Sequence, residues 1–114
     1  MKLEKEIHGD TTLVTVLENR IDAAVAIQFK DGMREVTETD QARFVIDMAN
    51  VNFVDSSGLG AIVSVMKMVG TNRKLELAGL TTSVQKVFRL TRMDTVFTIH
   101  AHVGEAFEDE IPLN

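Results

Sequence analysis

The stretch Ala42–Gly70, ARFVIDMANVNFVDSSGLGAIVSVMKMVG, joins two contrasting patterns through a polar turn. Its first part, Ala42 to Met48, carries Phe44-Val45-Ile46 without a polar interruption. An unbroken apolar run of that length suits a strand covered on both faces. Its last part places Leu59, Ile62, Val63 and Met66 at helical spacing and ends at Gly70, a helix-stop residue. Lys74 to Ala78, KLELA, then alternates as a strand does. The roughly 25 residues between the two strands are enough for a parallel crossover through a helix.

The flanks fit the same plan. Lys2 to His8 and Thr12 to Leu17 read as a hairpin with Gly9-Asp10 near its turn. Asp22 is placed to N-cap a first helix, along which Val25, Phe29, Met33 and Val36 recur at helical spacing. Asp31-Gly32 falls inside that helix and should weaken it by about 1 kcal/mol, since the flanks lack the alternation of hairpin arms. Thr82 or Ser83 is expected to cap a third helix with Val84, Val87 and Phe88 inward. Val96 to His100 is expected to be a last strand, and Gly104 to Glu110 a final acidic helix or tail. The sum is an α/β fold, a mixed sheet with helices packed on it, in a single domain over residues 1–114.

Composition narrows the function. The chain has 114 residues, no cysteine and a formal net charge of −5. Disulfides, thiolate–metal sites and a cysteine nucleophile are therefore excluded, and a general nucleic-acid surface is disfavoured. No 18-residue apolar span and no signal peptide are seen, so a soluble cytosolic protein without a membrane partner is expected. The six aromatics are all Phe, which supplies stacking platforms poorly. The six methionines are expected mainly as core filler, with Met66 and Met68 the two that could edge a protein-binding surface.

The chemical question lies in Val54–Gly60, VDSSGLG. A hydrolase elbow needs glycine before as well as after the serine, and none precedes Ser56 or Ser57. A Ser-His-Asp triad would have to recruit His8, His100 or His102, all on or beside expected strands. An integrin-type metal site would need D-x-S-x-S, and the chain has D-S-S-G-L. An aspartic-protease loop is broken by the extra serine. Phosphate-loop and dinucleotide fingerprints are missing. A helix cap fits well: Asp55 or Ser56 can accept from the first helical N–H groups, with Gly58 and Gly60 letting the helix lie close to the sheet. A cap needs only one polar residue, however, and three stand in a row. A serine at a helix start is also well placed to carry an added phosphate, because the free N–H groups and the helix dipole tolerate the charge.

With its preceding FVIDMANVNF strand and turn, Val54-Asp-Ser-Ser-Gly-Leu-Gly60 resembles the phosphorylation loop of anti-sigma factor antagonists, which are STAS domain proteins. The resemblance covers nearly the whole chain. Leu17-Glu-Asn-Arg-Ile-Asp22 is similar to the family's Leu-x-Gly-x-Leu-Asp before the first helix. Leu75-Glu-Leu-Ala-Gly-Leu80 resembles its next strand and loop, and Val87-Phe-Arg-Leu-Thr-Arg-Met-Asp-Thr-Val-Phe97 its third helix and following turn. Two positions depart from the pattern. Asn19 stands for a glycine, where it could still take a positive φ. Gly32 stands inside the first helix, which should be locally looser.

The resemblance implies a STAS-like fold and a protein with no catalytic reaction or cofactor of its own. It implies Ser56 as phospho-acceptor, with Ser57 helping to cap the helix. Asp22, Asp55, Ser56, Ser57, Gly58 and Leu59 would form the partner-binding surface. The implied partners are an anti-sigma factor that is also a GHKL-type serine kinase, and a PP2C-type phosphatase. The unphosphorylated form would bind the anti-sigma factor and free the sigma factor. Related expectations are a partner switch with another output, such as secretion or biofilm formation, and an accessory subunit of a transporter. A small hydrolase using Ser56 is the reading from outside the family.

Overall fold

The computed structural model describes residues 1–108. The expected hairpin forms from β1 (Leu3–His8) and β2 (Thr11–Val16), antiparallel, with Leu3 opposite Val16 and His8 opposite Thr11. Its two-residue loop is Gly9-Asp10. Gly9 has φ +63°, the sign required at the first central position of a II′ turn. A two-residue strand β3 (Arg20–Ile21) follows, then α1 (Ala26–Thr37), β4 (Arg43–Asp47), a second short strand β5 (Phe53–Val54) and α2 (Ser56–Val69). The rest comprises β6 (Lys74–Ala78), α3 (Thr82–Leu90), a 3-10 turn at Met93–Thr95, β7 (Thr98–His100) and a one-turn helix α4 (Val103–Ala106).

The main sheet has the order β1-β2-β4-β6-β7, antiparallel at β1–β2 and parallel elsewhere. β4 sits at its centre, and Phe44, Val45 and Ile46 are all fully buried, as an unbroken apolar run requires. Phe44 and Ile46 join the large core under α1, α2 and α3, with Phe29, Met33, Ile62, Val65, Leu77 and Phe88. Val45 faces the other way, into a small cluster with Leu13, Ala78 and Ala106 of α4. Met33 and Met48 are fully buried and Met66 packs against the main core, as expected of filler. Met68 is half-buried.

Several local expectations change. The N-cap of α1 is Val25 without a side-chain bond, so Asp22 does not cap the helix. Asp22 instead closes the turn ahead of it: its Oδ1 accepts the Ala24 N–H (3.1 Å) and its carbonyl accepts from Val25 and Ala26. α1 runs unbroken through Gly32. A Cβ there would lie 2.8 Å from Leu3 Cδ1, so the glycine lets β1 settle onto the helix. Asn19 does not adopt a positive φ; its carbonyl accepts the Asn52 N–H (2.8 Å) and ties the β3 segment to the β5 segment. α3 is preceded by Thr81, not capped by Thr82 or Ser83. The Thr81 hydroxyl donates to the Val51 carbonyl (2.8 Å), and Val87 is only half-buried. The last strand begins at Thr98, because Val96 remains exposed in the turn and only Phe97 packs inward, edge-on to Phe88. α4 ends at Ala106; Asp109 and Glu110 of the expected acidic segment lie outside the described residues.

Within the alternating strand KLELA, Glu76 is buried. Arg43 of β4 donates to it from Nε (3.1 Å) and Nη2 (2.6 Å), and His100 of β7 lies 2.7 Å away through Nε2. Burial pushes the Glu76 carboxyl up, but the bonds from Arg43 and His100 and their charges more than reverse this and hold it below the ordinary carboxylate range. The same Arg43 donates to the Ala106 carbonyl (2.6 Å), fastening α4 over the network. Arg73 is a second fastener. Its guanidinium donates to carbonyls of Thr37, Thr39, Met68 and Val69, the C-terminal ends of α1 and α2, and lies 5.3 Å over the Phe44 ring.

Candidate functional site

β3 and β5 do not belong to the main sheet. They form their own two-residue parallel pair, Arg20 opposite Phe53 and Ile21 opposite Val54. This pair carries the polar turn and the start of α2. Asp55 is the N-cap: its Oδ1 accepts the Gly58 N–H (2.8 Å) in the extended backbone conformation a cap requires. Its Oδ2 accepts the Ala23 N–H (3.1 Å), so one carboxylate secures both the helix and the neighbouring turn. The Gly58 N–H, assisted by those of Ala23 and Ser57, holds the Asp55 carboxyl below the ordinary range against an opposing desolvation.

With Asp55 in that role, Ser57 is not needed as a cap. Ser56 and Ser57 occupy the first two helical positions, both exposed, and their hydroxyls make no hydrogen bond among the described residues. The two glycines also separate. A Cβ on Gly58 would lie 1.8 Å from the Ile21 carbonyl oxygen, so only glycine permits the start of α2 to rest on β3. Gly60 is exposed and a Cβ there would meet nothing within 4 Å among the described residues, so no packing requirement there explains it. Leu59 is half-buried and packs against the main core. The structure therefore brings Asp22, Asp55, Ser56, Ser57 and Gly58 around one turn.

The exposed Phe53 and the Arg20 beside it escape the pattern of the sequence. Phe53, opposite Arg20 in the β3–β5 pair, is 50% exposed. Arg20 lies 5.9 Å over the Phe53 ring, and its Nη1 is 3.4 Å from Asp22 Oδ2. A two-residue strand shows no periodicity, so only the exposed aromatic beside the serines could have signalled the patch. The histidines of a triad do not reach it. His8 stacks against Phe107, His100 holds Glu76, and His102 Nδ1 accepts the Glu105 N–H at the start of α4. All three surround the helix on the opposite face of the sheet from α2. Among the described residues no group of His, Asp and Glu has the arrangement of a metal site.

A single family model accounts for the chain from residue 2 to residue 106, and that model is the STAS domain. The chain belongs to the STAS family. Among curated relatives, the STAS domain here is similar to the anti-sigma-B factor antagonist of Staphylococcus aureus, 26% identical over 108 residues, covering 94% of this chain and 87% of the relative. Its fold matches the crystal structure of an anti-sigma factor antagonist from Mycobacterium paratuberculosis with a TM-score of 0.85 at 20% identity, over 95% of this chain and 92% of that one. It also matches the Bacillus cell fate determinant SpoIIAA in its phosphorylated form, with a TM-score of 0.69 at 16% identity, over 96% and 100% of the two chains. The STAS fold expected from the motifs is thus the fold observed. No helix among the described residues is long and apolar enough to cross a membrane.

Proposed function

We propose that this STAS protein is an anti-sigma factor antagonist working as a partner switch, with Ser56 as its phosphorylation site. In the unmodified state, the turn built from Asp22, Asp55, Ser56 and Ser57 docks on an anti-sigma factor that is also a GHKL-type serine kinase, releasing the sigma factor. Phosphate on Ser56 ends that docking, and a PP2C-type phosphatase restores it. The observation that carries this reading is Ser56 itself: an exposed hydroxyl in the first turn of α2, with no hydrogen bond to lose, because the cap is already supplied by Asp55. A phosphate there adds a charge of about −1.5 to −2 without removing any contact that holds the fold. In a docked interface it would sit desolvated beside Asp55, and affinity losses of a few kcal/mol are typical for an unpaired charge so placed. The similarity to proteins named anti-sigma factor antagonists supports the choice of partner.

The roles assigned to the residues ask for no acid–base chemistry from this chain; the transferred phosphoryl group and the machinery of transfer come from the kinase. The test uses the purified cognate kinase and radiolabelled ATP. Label should enter the wild type and Ser57→Ala but not Ser56→Ala. Ser56→Ala should bind the kinase as tightly as the unmodified protein, and Ser56→Asp weakly. Equal affinities for the Ala and Asp variants would sink the switch, and covalent labelling of Ser56 by a serine-hydrolase probe would replace it with an enzyme.

A further inference from the structure

The pairing of β3 with β5, together with the Ala23–Asp55 bond, lays residues 20–23 alongside residues 53–56. Arg20 is the single cation from Glu18 to Phe29 and from Ala49 to Met66, the chain that frames Ser56. The three acids there are already engaged by backbone N–H groups, Glu18 by Lys2, Asp22 by Ala24, and Asp55 by Gly58 and Ala23. Arg20 itself is only loosely held. It has one long contact to Asp22, 3.4 Å, a position 5.9 Å over the Phe53 ring, and a side chain 60% exposed.

We infer that Arg20 is the internal receptor for phosphate on Ser56, an inference that rests on Ser56 being the modified residue. Arg20 stands opposite Phe53, three residues before Ser56 on a chain that is extended through β5 and the cap, so an extended arginine and a phosphoserine can meet. A guanidinium bonds a phosphate through two parallel N–H donors, a stronger pairing than one 3.4 Å contact to a carboxylate. When Arg20 turns to the phosphate it leaves Asp22 and uncovers the Phe53 ring. Modification then changes the docking surface twice, by the charge added at Ser56 and by the exposure of an aromatic ring three residues away. Arg20 is a positioning residue for the modified state, and it occupies one of the unspecified positions of the motif Leu17–Asp22.

The test places phosphoserine at position 56 of the full chain during translation, so no kinase is needed. A phosphorus-31 NMR titration then reads the second ionisation of the phosphate in the wild type, Arg20→Ala, Arg20→Lys and Arg34→Ala. The guanidinium favours the dianion, so the wild-type midpoint should lie roughly 0.2–0.7 pH unit below that of Arg20→Ala, the size expected of one solvent-exposed ion pair. Arg20→Lys should fall between them, and Arg34→Ala, at the other end of α1, should match the wild type. The Phe53 ring resonances should shift on phosphorylation in the wild type and not in Arg20→Ala. Equal midpoints for wild type and Arg20→Ala, or an equal displacement in Arg34→Ala, would overturn the inference. A kinase that ignored Ser56 would instead overturn the partner switch and leave this measurement standing.

Discussion

Gly58 and Gly60 lie two residues apart in one helix, and the structure assigns opposite signs to the same substitution at each. At Gly58 an alanine methyl would sit 1.8 Å from the Ile21 carbonyl oxygen, about 1.2 Å inside the 3.0 Å at which real contacts begin. The obstacle is backbone in a paired strand, so it cannot rotate away as a side chain would. Either β3 or the start of α2 must move by that distance. A movement of this size also separates Asp55 from the Ala23 N–H, now at 3.1 Å. Overpacking against a fixed neighbour costs about 1–3 kcal/mol, and the lost pairing places Gly58→Ala at or above the upper end. At Gly60 the methyl meets nothing, and an exposed helix interior favours alanine over glycine by about 0.5–1 kcal/mol. The chain has neither Trp nor Tyr, so urea and thermal unfolding should be followed by far-UV circular dichroism. At about 4 °C per kcal/mol for a domain of this size, Gly58→Ala should melt roughly 12 °C lower and Gly60→Ala a few degrees higher. A Gly58→Ala protein within about 0.5 kcal/mol of the wild type would refute the close approach of α2 to β3 on which the site geometry depends.

Other perturbations have equally definite outcomes. Arg73→Ala strips the donors from four carbonyls at the ends of α1 and α2 and should cost about 2–3 kcal/mol in urea unfolding, with amide exchange rising at Thr37 and Val69 before elsewhere. Asp55 and Glu76 both have folded carboxyls below their ordinary range, so each contributes stability that is complete above that range and is lost as pH falls through the depressed folded values. Unfolding measured from pH 7 down to pH 3 should therefore show an acid-side decline that is shallower in Asp55→Asn and in Glu76→Gln than in the wild type. Ser56→Asp should melt within about 4 °C of the wild type, because the helix dipole favours the new charge about as much as Asp55 opposes it. A large drop in its melting temperature would mean that modification works by unfolding the turn.

The elements that decide the fold were legible because their signals are long or unmistakable. Phe44-Val45-Ile46 announced the central strand, the spacing of Leu59, Ile62 and Met66 the helix after it, and Gly9-Asp10 the hairpin. The failures fall where a residue's role depends on a distant partner. The KLELA alternation announced a strand, but a period of two does not say what covers a face, and the burial of Glu76 under α4 and Arg43 was not legible. Gly32 looked like a helix defect because Leu3, 29 positions earlier, does not appear in any local window. Asp22 looked like a cap because an aspartate before an apolar period usually is one, whereas here it closes a turn whose geometry is fixed by Asp55. Of the site, the polar triplet was visible at once. The division of labour within it was not: Asp55 as cap and the two serines left without one follow only from the hydrogen bonds.

That division would let the proposed modification act without disturbing the fold. A serine that capped α2 would place the helix and the signal in the same hydroxyl, and its modification would compete with the fold. Here the cap belongs to Asp55 and the contact between α2 and β3 belongs to Gly58, neither of which is altered by chemistry at Ser56. The β3–β5 pair adds a second separation. It stands apart from the five-stranded sheet, so Arg20, Phe53 and the serine turn lie outside the strand that buries Phe44, Val45 and Ile46. The exposed Gly60, one turn along the same face as Ser56, is consistent with that arrangement. Nothing among the described residues requires it, and a bare helix backbone there leaves room for another molecule to approach.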